Sequence, residues 1–249
     1  MEWQHIFVQN SYAMTTSSIL ASKDFKTALQ LLAPTQKDKL ILRLLRRDPI
    51  LSQQLYFEWV DTETKDQKLE KALESLKSAI RNGSFTHNQS KLITRTFRGF
   101  SKEINLHAKI YKNKWAEVRL NTCLIHNMLS QHHNEMMQMD SWEHFSLFLY
   151  IIQKCYRLLM QIDGVDRDYY LEIQNEMEGI GHFLKSIPGL QDMCAHTRFD
   201  PNWCIEGEWP NPLKPLYDAI KPVQRMYLTQ KRNKALAHKN GSLPYTFLI

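Results

Sequence analysis

Apolar residues recur at three- and four-residue spacing along most of this chain, as in Leu69, Leu73, Leu76 and Ile80, or Ile93, Phe97, Phe100 and Ile104. That period gathers them into one stripe of an α-helix and does not fit the alternation of a half-buried strand. Glycine is scarce: 8 residues in 249, about 3% where an average protein has near 7%. Sandwiches and barrels need glycine for tight hairpins and bulges, so the scarcity argues against both. The expected fold is all-α with eight to ten helices and no strand.

Proline, glycine and short polar residues divide the stripe pattern. Ser22 is placed to cap a helix over residues 23–33 that ends before Pro34, and Thr35 to cap a second whose core stripe is Leu40, Ile41, Leu44 and Leu45. Asp48-Pro49 supplies an N-cap and a first helical residue for a third helix reaching Val60. Helices are then expected over 63–80, about 87–112 and 114–131. A further one, capped by Asp140 or Ser141, runs to Ile162; one capped by Asp166 runs to Ile187, and a last starts at Pro222 and reaches about His238. The helix over 114–131 is apolar on nearly all sides and is expected at the centre. Five prolines between 188 and 215 suggest an irregular crossing.

This organisation predicts helical hairpins, of the kind that solenoids stack, followed by an irregular helical bundle; no fixed repeat period is present. The expected domains are a flexible arm over residues 1–20, a main helical domain over 21–187, and a 188–249 segment. That segment combines the Pro-rich crossing with a basic C-terminal helix packed on the main domain. Over residues 35–130, the runs Lys37-Asp38-Lys39-Leu40-Ile41-Leu42-Arg43-Leu44 and Tyr111-Lys112-Asn113-Lys114-Trp115-Ala116-Glu117-Val118 resemble an uncharacterised family of bacterial all-helical proteins. The resemblance implies a bacterial helical domain and carries no site.

The four cysteines, Cys123, Cys155, Cys194 and Cys204, form no CxxC pair and are too sparse for a disulfide scaffold, which suggests a reducing compartment. The first residues lack the pattern of a secretory signal, and the most apolar window, 145–152, falls short of the about 20 residues a membrane span needs. A cytoplasmic protein without a membrane partner is expected.

The net charge of +6 conceals strong blocks: residues 81–119 carry nine Lys/Arg and two Asp/Glu, 134–212 five and thirteen, and 213–249 seven and one. Lys91, Arg95, Arg98, Lys102 and Lys109 share one face of their helix, and Lys221, Arg225 and Arg232, with Lys239, one side of the last helix. Runs of one sign suit an acidic protein surface or a phosphate backbone, and the first stripe has no interleaved aromatic for stacking on bases. Asp168, Glu172 and Glu176, at four-residue spacing, repel one another and call for a basic neighbour, in this chain or in a second copy.

Other constellations are weaker. Cys123, His126, His132 and His133 near several methionines, and Cys194, His196 and Cys204, contain metal-ligand types without a recognised spacing, so helix packing is the simpler reading and no cofactor is expected. Asp163-Gly164-Val165-Asp166-Arg167-Asp168 has the wrong order for a calcium loop and fits a helix–turn–helix junction. Gly179-Ile180-Gly181 lacks the third glycine of a dinucleotide fingerprint, and no P-loop or nucleophile elbow occurs. Trp203 and Trp209 with Glu206 and Glu208 could line a pocket for a sugar or a cation. The function expected is therefore binding, a basic helix face meeting an acidic partner. The alternatives are nucleic-acid binding by the same stripes, or an enzyme whose carboxylates and histidines meet only in the fold.

Overall fold

A computed structural model describes residues 22–83 and 89–239, with side chains over 22–83 and 90–229. The expected arm over 1–20 lies outside the described residues. All described regular structure is helical, and no strand occurs among the described residues. The helices outnumber the expected eight to ten because the Pro-rich crossing is itself built from short ones. The described residues up to Val60 form one compact unit and those from Asp61 a second.

The first unit holds α1 (Lys23–Leu31), α2 (Pro34–Arg47) and α3 (Pro49–Trp59). Ser22 caps α1, its hydroxyl accepting from the Phe25 N–H at 3.5 Å, and Asp48 caps α3 through Leu51 at 3.0 Å. Thr35 does not cap α2. The helix begins one residue earlier at Pro34, and the Gln36 side chain accepts from the Ala33 N–H instead. The expected core stripe of α2 is not buried within this unit: Ile41 and Leu44 are 47% and 52% exposed, whereas Leu40 and Leu45 are half-buried. Capping and helix propensity therefore carry more of the order here than burial does.

The second unit contains α4 (Lys65–Asn82), α5 (Gln89–Tyr111), α6 (Lys114–Gln131), α7 (His133–Met137), α8 (Phe145–Ile162), α9 (Tyr170–Ser186), α10 (Pro188–Thr197), α11 (Asn202–Glu206), α12 (Lys214–Asp218) and α13 (Ile220–Lys239). A 3-10 turn at Arg167–Tyr169 precedes α9, with Asp166 as its cap. Thr64 and Gln67 close a reciprocal capping box on α4. Lys68 bridges Asp61 at 2.5 Å and Glu63 at 2.7 Å, holding both carboxyls below their usual range.

Helix α6 is central, as its all-round apolar sequence requires, and packs against α4, α5, α8 and α9. Helix α8 is buried almost as fully and also supports α10 and α12. On the side of α8 that meets α10, Tyr156 is wholly buried; its hydroxyl donates to the Thr197 carbonyl at 3.0 Å, and Phe199 meets its ring edge-on at 4.9 Å. The crossing after residue 187 corrects the sequence expectation. Pro188 does not stop α9 against a loop but opens α10 as its first residue, where a missing N–H costs nothing.

Gly181 explains why α9 and α11 lie so close: a Cβ there would stand 2.5 Å from Ile205 Cγ1 and 2.9 Å from the Pro201 carbonyl oxygen. The Gly179/Gly181 pair thus serves helix packing rather than phosphate binding. No described helix is long and apolar enough to cross a membrane.

Candidate functional site

Helix α5 turns Ile93, Phe97 and Ile104 into the core, which forces the intervening Lys91, Arg95, Arg98, Lys102 and Lys109 outward; all five are exposed. Lys91, Arg95 and Arg98 do not simply face solvent. With Ser90, Thr94 and Ser146 of α8 they line a shallow cavity of about 350 Å³. Thr94 spends its hydroxyl hydrogen on the Ser90 carbonyl at 2.8 Å, which leaves the hydroxyls of Ser90 and Ser146 as the neutral donors in the cavity. Lys91, Arg95, Arg98 and Lys102 form no ion pair with the described residues.

Sequence reasoning missed the aromatic component of this face. The Arg98 guanidinium lies over the Tyr150 ring, 5.3 Å from its centroid, and the Tyr150 hydroxyl is 3.3 Å from Ser101 Oγ. Tyr150 comes from α8, fifty residues further on, so no reading of the α5 wheel could reveal it.

The second stripe is less free. Lys221 pairs with Asp218 at 3.2 Å, and Lys214 approaches the same carboxylate at 3.7 Å. Arg225 is exposed, whereas the Arg232 side chain lies outside the described residues. The helix carrying this stripe, α13, is fastened by Tyr227, which stacks on Phe145 at 3.9 Å with 9° between the ring planes. Phe145 and Ser146 are consecutive in the first turn of α8, so α13 and the α5 cavity meet the same end of that helix.

The acidic ridge on α9 finds its basic neighbour on α6. Arg119 donates to Glu176 at 2.8 Å, and Arg119 belongs to neither stripe, whereas Asp168 and Glu172 remain exposed. A buried polar chain runs beneath: Lys154 donates to Asn121 at 2.7 Å, Asn121 to Gln161 at 3.2 Å, and Gln161 to Glu117 at 2.7 Å. Burial lowers the Lys154 ammonium pKa to about 8.

The histidine and cysteine candidates read as packing. His126 and His133 flank the Phe183 ring at 5.8 and 5.6 Å, and burial lowers the His126 and His132 pKa values, favouring neutral rings. All four cysteines are buried with free thiols, whose pKa values burial raises. Among the described residues no three His, Cys, Asp or Glu side chains are grouped as metal ligands.

The two tryptophans of the crossing have different environments. Trp203 packs against Phe199 and Tyr156 at 5.2 and 6.2 Å and belongs to the core margin. Trp209 lines an open cavity of about 810 Å³ together with Asp163, Glu206 and Glu208. The fold thus gathers these three carboxylates, while His126 and His133 lie beside Phe183. Among known proteins, the chain matches no family model, no curated sequence and no solved structure. Its residues and geometry therefore carry the functional argument.

Proposed function

We propose that this protein is a helical binding protein that receives an acidic partner on the α5 face. The observation that carries this reading is the cavity in which Lys91, Arg95 and Arg98 converge with the Ser90 and Ser146 hydroxyls; no carboxylate lines it among the described residues. Clustered guanidinium groups and hydroxyl donors complement carboxylate or phosphate oxygens, and a desolvated bidentate contact is worth more than an exposed ion pair. Arg225 of α13 would extend the positive field beyond the cavity, whereas Lys221 is already paired with Asp218.

Nucleic acid is a second reading, favoured by the Arg98–Tyr150 stack, which puts an aromatic ring beside the cations. Titration of the full chain with a poly-glutamate peptide and with a single-stranded DNA oligonucleotide, at about 50 and 200 mM salt, separates the two. The acidic-partner reading requires peptide binding that weakens with salt and falls at least about tenfold in an Arg95→Glu/Arg98→Glu variant. Binding of DNA alone would replace it with the second reading. No binding of either polymer, or affinity indifferent to the double charge reversal, would overturn both.

A further inference from the structure

The open cavity between α8, the start of α9 and the segment after α11 accounts for residues that the basic face leaves unused. Three carboxylates, Asp163, Glu206 and Glu208, line it, and Arg167 is the single cation among its lining residues. Three carboxylates against one guanidinium leave the lining with two excess negative charges. Its volume, about 810 Å³, falls within the range of roughly 300–1,000 Å³ typical of small-molecule sites.

Two of the carboxylates in the walls are free to accept. The Trp209 indole N–H is spent on Asp163 at 2.8 Å, and the Gln174 amide donates to Glu178 at 2.9 Å. The carboxylates of Glu206 and Glu208 accept nothing from the described residues. The glutamate carboxylates remain free to accept; Arg167 and Asn211 add donors, and the net negative charge of the lining favours a ligand rich in N–H groups and positive charge.

Two aromatic rings complete the cavity. Tyr170 and Trp209 stand 6.1 Å apart with 54° between their planes, forming an open angle rather than one flat platform. An ammonium group fits such an angle, because each ring presents negative quadrupole density to it. A neutral sugar would leave the excess negative charge of the lining uncompensated. The Tyr170 hydroxyl is buried without a hydrogen-bond partner and out of reach of solvent, which leaves the ring as the part of this residue that can meet a ligand. Gly207 permits this placement: at φ +72° it is the only residue type that adopts the turn without strain, and a Cβ would stand 2.9 Å from the Tyr170 ring.

We infer that this cavity binds a small linear polyamine, its ammonium groups held by Glu206, Glu208 and Asp163 and seated between the rings of Tyr170 and Trp209. The site is independent of the basic face, which is of opposite charge.

The test is calorimetric titration of the full chain with spermidine at low salt, with maltotriose as the neutral comparison. Saturable one-to-one binding of spermidine is expected, weakening at least about tenfold in Glu206→Gln/Glu208→Gln. Both carboxylates are exposed and unpaired among the described residues, so that variant keeps its melting temperature. Tyr170→Phe, which keeps the ring and removes the unsatisfied buried hydroxyl, is expected to bind spermidine as the parent does and to melt no lower, whereas Tyr170→Leu, which removes the ring, is expected to bind several-fold more weakly. Absence of saturable spermidine binding, affinity unchanged by the double variant, or preferential uptake of maltotriose would each overturn the inference.

Discussion

Lys154 reaches Asn121 Oδ1 at 2.7 Å from inside the contact between α6 and α8, leaving only 9% of the residue exposed. Its ammonium has given up most of its hydration for one neutral acceptor and the distant charge of Glu117, and its pKa is lowered to about 8. In the unfolded chain a lysine titrates near 10.4. Below about pH 8 both states are protonated, and the full cost of burying the charge bears on the fold. As pH rises from 8 toward 10.4 the unfolded state binds more protons than the folded one, so this lysine's penalty is relieved, by roughly 3 kcal/mol in all. The four buried thiols work in the opposite sense, because their raised pKa values make them lose stability as pH rises. The measurement is therefore the difference in unfolding free energy between the parent and Lys154→Met at pH 7.5 and about pH 10. The parent is expected to gain on the variant at the higher pH; a constant difference would contradict a depressed lysine pKa.

The stack of Arg98 on Tyr150 makes a separate prediction about the basic face. The ring restricts the guanidinium to one orientation, which lowers the ordering cost of docking. Arg98→Lys keeps the charge but loses the planar stack and the fork of donors. It should weaken binding of an acidic peptide about three- to fivefold, a smaller loss than charge reversal produces. Tyr150→Leu should weaken binding to a similar extent without removing any charge, and thermal melting checks that its core contacts with Phe97 are replaced. If Arg98→Lys binds as tightly as the parent, the stack has no positioning role.

Close packing at Gly181 predicts a sharp response to one added methyl. Gly181→Ala brings a Cβ against both Ile205 and the Pro201 carbonyl, so α9 and α11 must separate. A loss of about 1–3 kcal/mol is expected in denaturant unfolding. Adding Ile205→Ala should recover part of the loss, since it clears the side-chain conflict and leaves the backbone one. A Gly181→Ala protein as stable as its parent would mean that the two helices are not held at this distance.

What could be read from the sequence was set by locality. The stripe of Leu69, Leu73, Leu76 and Ile80, the central apolar helix and the caps at Ser22 and Asp48 depend on residues within a few turns of one another and appear as expected, whereas Asp166 caps the 3-10 turn ahead of α9 rather than α9 itself. Pro188 illustrates an ambiguous signal, because proline both ends a helix and begins one, and only packing on α8 decides which. Leu40 and its neighbours on α2 have the periodicity of a core stripe, but periodicity reports amphipathicity and not what covers it. The outward face of α5 was legible as charge, whereas Ser146 and Tyr150 reach it from a distant helix. Likewise Trp209, Glu206 and Glu208 were visible as neighbours in sequence; Asp163 and Tyr170, which make their cavity, come from the opposite side of a helix–turn–helix junction.

The buried thiols have a practical consequence. Because every cysteine of the chain is enclosed with its thiol held in the neutral form, the native protein should be nearly inert to maleimide dyes. A single cysteine introduced at Asn105, exposed on α5 three residues beyond Lys102 and outside the cavity lining, would then be the sole reactive position. A fluorophore attached there would report an arriving partner directly, with no need to strip the native cysteines from the core first.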